Sequence, residues 1–303
     1  SNCDRVTVRD CNLSNNYFYG VEDRDGVGNK YINNYCDTNG NTTVATSTGG
    51  RGINLWRTVD TLVSGNSFVN STEYGFRLYS QTGDATAIKG ARVIGNYFSN
   101  NAACDIVVYN EAATLTRHLF ADNIIESTVN PTLGGHVVLQ GSNVTCSNTH
   151  LYRTGTMGTG FGFQLFQTTH CSIVDCSAEN ISAALAISTA TNCVIDGFIG
   201  DSVATAAGAA GIVGTGVTLR NCRFYHGGAG STDVALANYN ATGKSYIENN
   251  LFSGFDVGVY IGTEAVSLRD NTTVGSTTAG MRKDSDAQAG QEIIGNVWDS
   301  TNP

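Results

Sequence analysis

The chain has 303 residues, 41% of them hydrophobic and 14% charged, with a formal net charge of −9. This balance excludes a disordered chain and argues against a nucleic-acid or anionic-membrane surface; a strongly anionic polymer is also disfavoured unless a local basic patch overrides the total. No apolar run is long enough to span a bilayer, and 36 Gly against 2 Pro mean that turns are built from Gly, Asn, Asp and Thr.

The chain opens on SNCDRVTVRDC with no charged-then-apolar leader. It starts in the middle of a pattern, as expected of a fragment of a longer chain. That pattern is a six-residue phrase: apolar, any residue, Gly/Asn/Asp, Asn, any residue, bulky apolar. It reads VRDCNL (8–13), YINNYC (31–36), VSGNSF (63–68), VIGNYF (93–98) and FADNII (120–125). It weakens in CSNTHL (146–151), IVDCSA (173–178) and VIDGFI (194–199), then returns in LRNCRF (219–224), IENNLF (247–252), LRDNTT (268–273) and IIGNVW (293–298). Fourth positions lie roughly 26 residues apart on average, a solenoid-scale period.

A second short segment follows the phrase, as in GINLW (52–56), GFRLY (75–79), DIVVY (105–109), HVVLQ (136–140), GFQLF (162–166) and VALAN (234–238). Each is apolar at its second and fourth places, the alternation of a strand with one buried face, and no helical periodicity appears. The expected fold is all-β: one right-handed parallel β-helix domain over residues 1–303, with about twelve coils. Leucine-rich repeats share the period but need an LxxLxL phrase that is missing. The repetition has a physical cause, because one coil cannot bury its apolar face without a neighbour carrying similar residues at the same place. Asn at the fourth position is expected to stack its amide coil over coil at an inward turn. Cys11, Cys176 and Cys222 replace it there, while Cys3, Cys171 and Cys193 form a second set ahead of their phrases. The cysteines therefore read as small core residues rather than disulfide partners, and reduced thiols point to folding in a reducing cytosol.

On these phrases the chain resembles the pectate-lyase-like right-handed β-helices, which include pectin-active enzymes, alginate epimerases and lyases, and bacteriophage tailspikes. The phrases specify a fold rather than a reaction. The Asp-Pro-His of the epimerases is missing, as are the Gly-His-Gly and Arg-Ile-Lys of polygalacturonases; GGH (134–136) is the nearest fragment. Neither Pro131 nor Pro303 stands in the Arg-x-Pro-x-x-Arg pattern of pectate lyases. Reduced cysteines, low charge and Thr/Gly/Asn-rich coils look most like a tailspike. That resemblance implies binding and hydrolytic cleavage of a bacterial surface or capsular polysaccharide, a homotrimer, a virion or extracellular setting, and no organic cofactor. A non-catalytic glycan-binding or structural rod is the second reading, and a secreted lyase or epimerase acting on uronic-acid polymers the third.

Strand register locates the candidate site. The last residues of five consecutive strands, Trp56, Tyr79, Tyr109, Gln140 and Phe166, are expected to point outward in one column. Stacked rungs about 4.8 Å apart come close to the length of one sugar unit, which suits a polysaccharide lying along the coils; burial against another subunit is the competing reading. Asn54, Arg77, Val107, Val138 and Gln164 are expected to face outward two residues earlier. Glu73 and Asp105, taken as outward on neighbouring coils, form a candidate pair of carboxylates for glycosidic cleavage. Arg77 would orient one of them or hold a substrate carboxylate; an exposed ion network of little energy is the bland alternative. Acidic residues Glu22, Asp23, Asp25 and Glu111 lie at the edge of the same region.

His136, expected outward near the groove, would serve with Tyr79 and Tyr109 as a base in a lyase. His118 belongs to the same coil, and His150, His170 and His226 read as structural. No HExxH or CxxC spacing exists, so no zinc site is expected; calcium is left open around Asp23 and Asp25, where EDRDGVGN (22–29) reads as a turn. In the second half small residues, Ser188, Ala237 and Gly262, are expected to continue the outward column beside the featureless stretch 201–216.

Overall fold

The computed structural model describes residues 3–40, 49–80, 88–110, 116–203, 210–227, 233–238, 243–262, 265–283 and 291–300. Among them all regular structure is β-strand, and every strand pairing is parallel. The fold is a right-handed parallel β-helix. It divides into two compact units, Ser1–Thr156 and Met157–Pro303. Among the described residues the turns number about nine rather than the expected twelve.

In the first unit each coil contributes strands to three rows. One row holds the opening of the phrase: Thr7–Arg9, Lys30–Ile32, Leu62–Ser64, Arg92–Ile94 and Thr116–Ala121. A second holds its close: Tyr35–Asp37, Ser67–Val69, Tyr97–Ser99, Ile124–Ser127 and His150–Arg153. The third holds Tyr19–Arg24, Arg51–Trp56, Tyr74–Ser80 and Cys104–Asn110. The 13-residue strand Gly135–Ser147 runs from the third row into the first.

The phrase is explained position by position. Its third residue turns the corner in the left-handed region, with φ from 44° to 67° at Asp10, Asn33, Gly65, Gly95, Asp122 and Asn148, a conformation that Gly, Asn and Asp adopt at least cost. Its fourth residue points inward and forms the expected ladder. Asn34 Nδ2 donates to Asn66 Oδ1 at 3.0 Å, Asn66 to Asn96 at 3.0 Å and Asn96 to Asn123 at 3.1 Å. Each amide also donates to a strand carbonyl, as Asn66 does to Tyr31 O at 2.9 Å, so the buried polar groups are satisfied. The sixth residues stack beside the ladder, with the Phe68 and Phe98 ring centroids 5.1 Å apart. Each such fully buried side chain contributes about 1.5–3 kcal/mol.

The second unit repeats the scheme. Phe163↔Leu185 and Leu165↔Ile187 face inward between Gly158–Thr169 and Ile181–Thr191, and Phe198, Phe224 and Phe252 stack 5.8–5.9 Å apart. The amide ladder runs Asn250–Asn271–Asn296 with contacts of 2.9 Å, and the Cys222 N–H donates to Asn250 Oδ1. VIDGFI is displaced by one residue from the expected phrase: Ile195 pairs with Ile173, so Gly197 turns the corner over Asp175 and Phe198 takes the ladder level. Cys176 and Cys222 are buried as expected, whereas Cys3 and Cys11 are exposed. All nine cysteines are free thiols.

Candidate functional site

The third row of the first unit presents its outer face in columns. Register aligns Arg24↔Trp56, Trp56↔Tyr79 and Tyr79↔Tyr109. These side chains form a continuous ladder: the Arg24 guanidinium lies 4.5 Å from the Trp56 ring centroid. Trp56 and Tyr79 centroids are 5.7 Å apart and steeply inclined, and Tyr79 and Tyr109 are stacked at 6.0 Å and 22°. Tyr109 is 37% exposed, and Trp56 and Tyr79 are half-buried. The sequence places the rings here because alternation from the inward residues Ile53, Leu55, Phe76, Leu78, Ile106 and Val108 leaves the strand ends outside.

A second outer column aligns Glu22, Asn54, Arg77, Val107 and Val138. A third aligns Tyr19, Arg51, Tyr74 and Cys104. Arg51 organises the latter. Its guanidinium contacts Glu73 Oε2 at 2.7 Å, donates to the Tyr19 hydroxyl at 3.1 Å, and lies 5.1 and 5.4 Å from the Tyr19 and Tyr74 ring centroids. Arg24 pairs with Glu22 at 2.8 Å and Arg57 with Asp25 at 2.7 Å. Arg77 differs. It lies 3.8 Å over the Tyr79 ring and 5.6 Å from that of Tyr74, and no described carboxylate pairs with it. Burial, and then the Arg51 charge, hold Arg77 below the ordinary guanidinium pKa.

Several expected placements are corrected. Asp105 is not outward: it is fully buried, its Oδ2 2.7 Å from His136 Nδ1 and its Oδ1 accepting from Asn101 Nδ2 at 2.8 Å. His136, likewise expected at the groove, is fully buried. The physical reason is a bend at the start of the strand that turns two consecutive residues inward. The same bend carries Gly52 and Gly75 in the neighbouring coils, where a Cβ on Gly52 would stand 2.4 Å from the Phe68 ring. Glu73 therefore does not face Asp105 across the surface; its partner is Arg51. Asn54 and Gln140 keep only 2% and 6% exposure, so neither offers the open side chain expected of it. Val107 and Val138 are buried too, packed with Cys104 and Tyr74.

Phe166 belongs to the second unit, where it pairs with Ser188. Ala237 aligns through Gly211 and Ala186 with Gln164 rather than with Phe166, and its partner in the next coil is Tyr260, not Gly262. His118, 2% exposed, accepts from the Ala91 N–H through Nδ1 at 3.3 Å, and burial lowers its pKa to about 4. Asp23 is buried and accepts from Asn29 at 3.0 Å, while Asp25 is held by Arg57, so the two do not converge as calcium ligands. Among the described residues no three His, Cys, Asp or Glu side chains come together as a metal site. Glu111 and residues 204–209 of the featureless stretch lie outside the described residues.

Tyr19, Arg51, Tyr74, Arg24 and Arg57 went unnoticed in the sequence. Alternation hides the first three, since each stands two residues before Val21, Ile53 or Phe76 and would be read as inward; only the bend that also turns Gly52 and Gly75 inward leaves Arg51 and Tyr74 on the outer face.

The site thus sits on the outer face of a right-handed β-helix. Residues 1–149 match the family described as "Right handed beta helix region". Among solved structures the chain is similar to the catalytic domain of a GH87 α-1,3-glucanase in complex with nigerose, with 10% identity and a TM-score of 0.52; the match covers 96% of this chain and 64% of that domain. It is also similar to PfbA, a surface adhesin of Streptococcus pneumoniae, with 8% identity, a TM-score of 0.47, and coverage of 97% and 62%. A third similar structure is the A-module of the mannuronan C-5 epimerase AlgE6 of Azotobacter vinelandii, with 11% identity, a TM-score of 0.44, and coverage of 99% and 90%. The chain spans less than two thirds of the length of the glucanase domain. No curated protein sequence matches the chain at a significant level.

Proposed function

We propose that the outer face of the first unit binds a polysaccharide whose sugar rings lie on the Trp56–Tyr79–Tyr109 ladder. The observation that carries this reading is the strict alignment of three aromatic rings on successive coils, 5.7 and 6.0 Å apart. Rings in register at this pitch match repeating saccharide units, and Arg24 and Arg77 flank them with polar contacts. The likeness of the fold to a glucanase domain caught with a disaccharide supports the same reading. Binding of immobilised bacterial glycans by wild type and Trp56→Ala tests it. Loss of binding in a variant with unchanged melting is expected; unchanged binding with loss of self-association would assign the ladder to a subunit interface instead.

Cleavage is not part of the proposal. The Glu73 and Asp105 pair that hydrolysis needed is separated by the burial of Asp105, and the other described carboxylates on this face, Glu22 and Asp25, are engaged by arginines. Reducing-end release by the wild-type chain would overturn binding without cleavage. The tailspike-like setting, a homotrimer on a virion or outside the cell that folds in a reducing cytosol and uses no organic cofactor, is proposed with the binding function on resemblance alone. Light scattering tests the trimer.

A further inference from the structure

Four arginines stand on or beside the ladder face, and three of them are neutralised: Arg24 by Glu22, Arg51 by Glu73 and Arg57 by Asp25, at 2.7–2.8 Å. Arg77 is the fourth. Among the described residues it has no ion pair and no hydrogen bond from its guanidinium; its contacts are the faces of Tyr79 and Tyr74. A guanidinium stacked on a ring keeps its N–H donors in its own plane, directed past the ring edge rather than into it. Arg77 is half-buried between the ladder column and the Arg51 column, so it has lost hydration without gaining a counter-ion. A neutral hydroxyl satisfies one donor of such a group. A carboxylate satisfies two and also compensates the charge, forming the stronger bidentate contact.

We propose, building on the glycan-binding reading, that this face selects acidic saccharides and that Arg77 holds the sugar carboxylate while the ring rests on the neighbouring aromatic rungs. The chain's total of −9 does not oppose this, because charge acts locally: among the described residues the face carries four arginines against the three carboxylates Glu22, Asp25 and Glu73. The tyrosines supply the other half of the selection. Tyr79 holds the Arg77 guanidinium 3.8 Å from its ring centroid, beside the ladder, and the planar fork of a guanidinium matches a carboxylate in a way that a point-charge ammonium does not.

The test uses an array of uronate- and sialate-containing oligosaccharides, each printed beside its carboxyl-reduced form, probed with wild type, Arg77→Gln, Arg77→Lys and Trp56→Ala. Wild type should bind acidic members, with at least a tenfold loss on carboxyl reduction and weaker binding as salt rises. Arg77→Gln should bind each acidic glycan no better than its reduced partner, Arg77→Lys should recover part of the preference, and Trp56→Ala should lose both forms. Equal wild-type binding of acidic and reduced forms, or an unchanged preference in Arg77→Gln, overturns the assignment to Arg77 and leaves the glycan-binding ladder standing. Absence of wild-type binding to every member, with no effect of Trp56→Ala, overturns both. Matched melting temperatures for wild type and Arg77→Gln exclude misfolding as the cause of a lost preference.

Discussion

Asp105 and His136 face each other from successive coils, Oδ2 to Nδ1 at 2.7 Å, with neither side chain exposed. They occupy the inward column that holds Gly20, Gly52 and Gly75 in the preceding coils, and the facing row changes with them, from Phe68 and Phe98 to the smaller Ile125 and Leu151. Replacing aromatic rings by aliphatic side chains opens the volume that a carboxylate and an imidazole fill. The pair is part of the core.

Asp105→Ala should therefore act on stability and not on glycan binding. It leaves His136 and Asn101 without their buried acceptor, a loss of about 2–4 kcal/mol. Urea denaturation measures this, and affinity for a bound glycan should stay within error of wild type. Full stability in Asp105→Asn with loss of reducing-end release would return the residue to a catalytic role.

His118 makes stability depend on pH in a defined direction. Its folded pKa is about 4 against an ordinary 6.5, so below pH 6.5 the unfolded chain takes a proton that the fold refuses. The stabilisation is complete above about pH 6.5 and is lost as pH falls toward 4, by roughly 1.4 kcal/mol per unit and about 3 kcal/mol in all. Protonation also destroys the acceptor for the Ala91 N–H. Denaturation midpoints between pH 7 and pH 4 should fall less steeply in His118→Gln than in wild type.

Asn66 links three rungs of the amide ladder. It accepts from the Asn34 N–H and Nδ2, and donates to Asn96 and to the Tyr31 carbonyl, at 2.8–3.0 Å. Asn66→Leu keeps the branching and heavy-atom count of the side chain but has no polar atoms, so it strands donors on Asn34 and an acceptor on Tyr31. A cost of about 3 kcal/mol is expected, read as a lower urea midpoint.

Tyr79 is the middle rung, touching Trp56, Tyr109 and Arg77. Tyr79→Ala should weaken glycan binding by about 1–3 kcal/mol, the scale of a central aromatic contact, and Tyr79→Phe should keep most of it. Titration calorimetry with the best array binder measures both. Equal losses in the two variants would mean that the hydroxyl rather than the ring carries the contact.

Much of the fold was legible in the chain itself. The phrase named the inward amide at Asn66 and Asn96, a local requirement repeated at a fixed period, while the left-handed corner at Gly65 and Asp122 and the stacked rings of Phe68 and Phe98 explain its third and sixth places once the coils are stacked. The one slip, at VIDGFI, arose where Gly197 rather than Asp196 turns the corner, since either residue type tolerates that conformation. The aromatic column was legible for the same reason: alternation along a strand sets side-chain direction, and the strand ends at Trp56, Tyr79 and Tyr109 obey it.

The polar constellation was decided by tertiary structure alone. Alternation fails at the bend where Gly52, Gly75, Asp105 and His136 turn inward, and what this inward column can hold depends on contacts distant in the chain: Gly52 leaves room for the Phe68 ring, Gly75 for that of Phe98, and Asp105 meets His136 from the next coil. Which carboxylate neutralises which arginine depends likewise on neighbours in other coils: Glu73 reaches Arg51, Asp25 reaches Arg57, and Arg77 is left on its tyrosines. A period in the sequence determines what each coil must repeat, whereas charge pairing depends on distances across coils that only stacking creates.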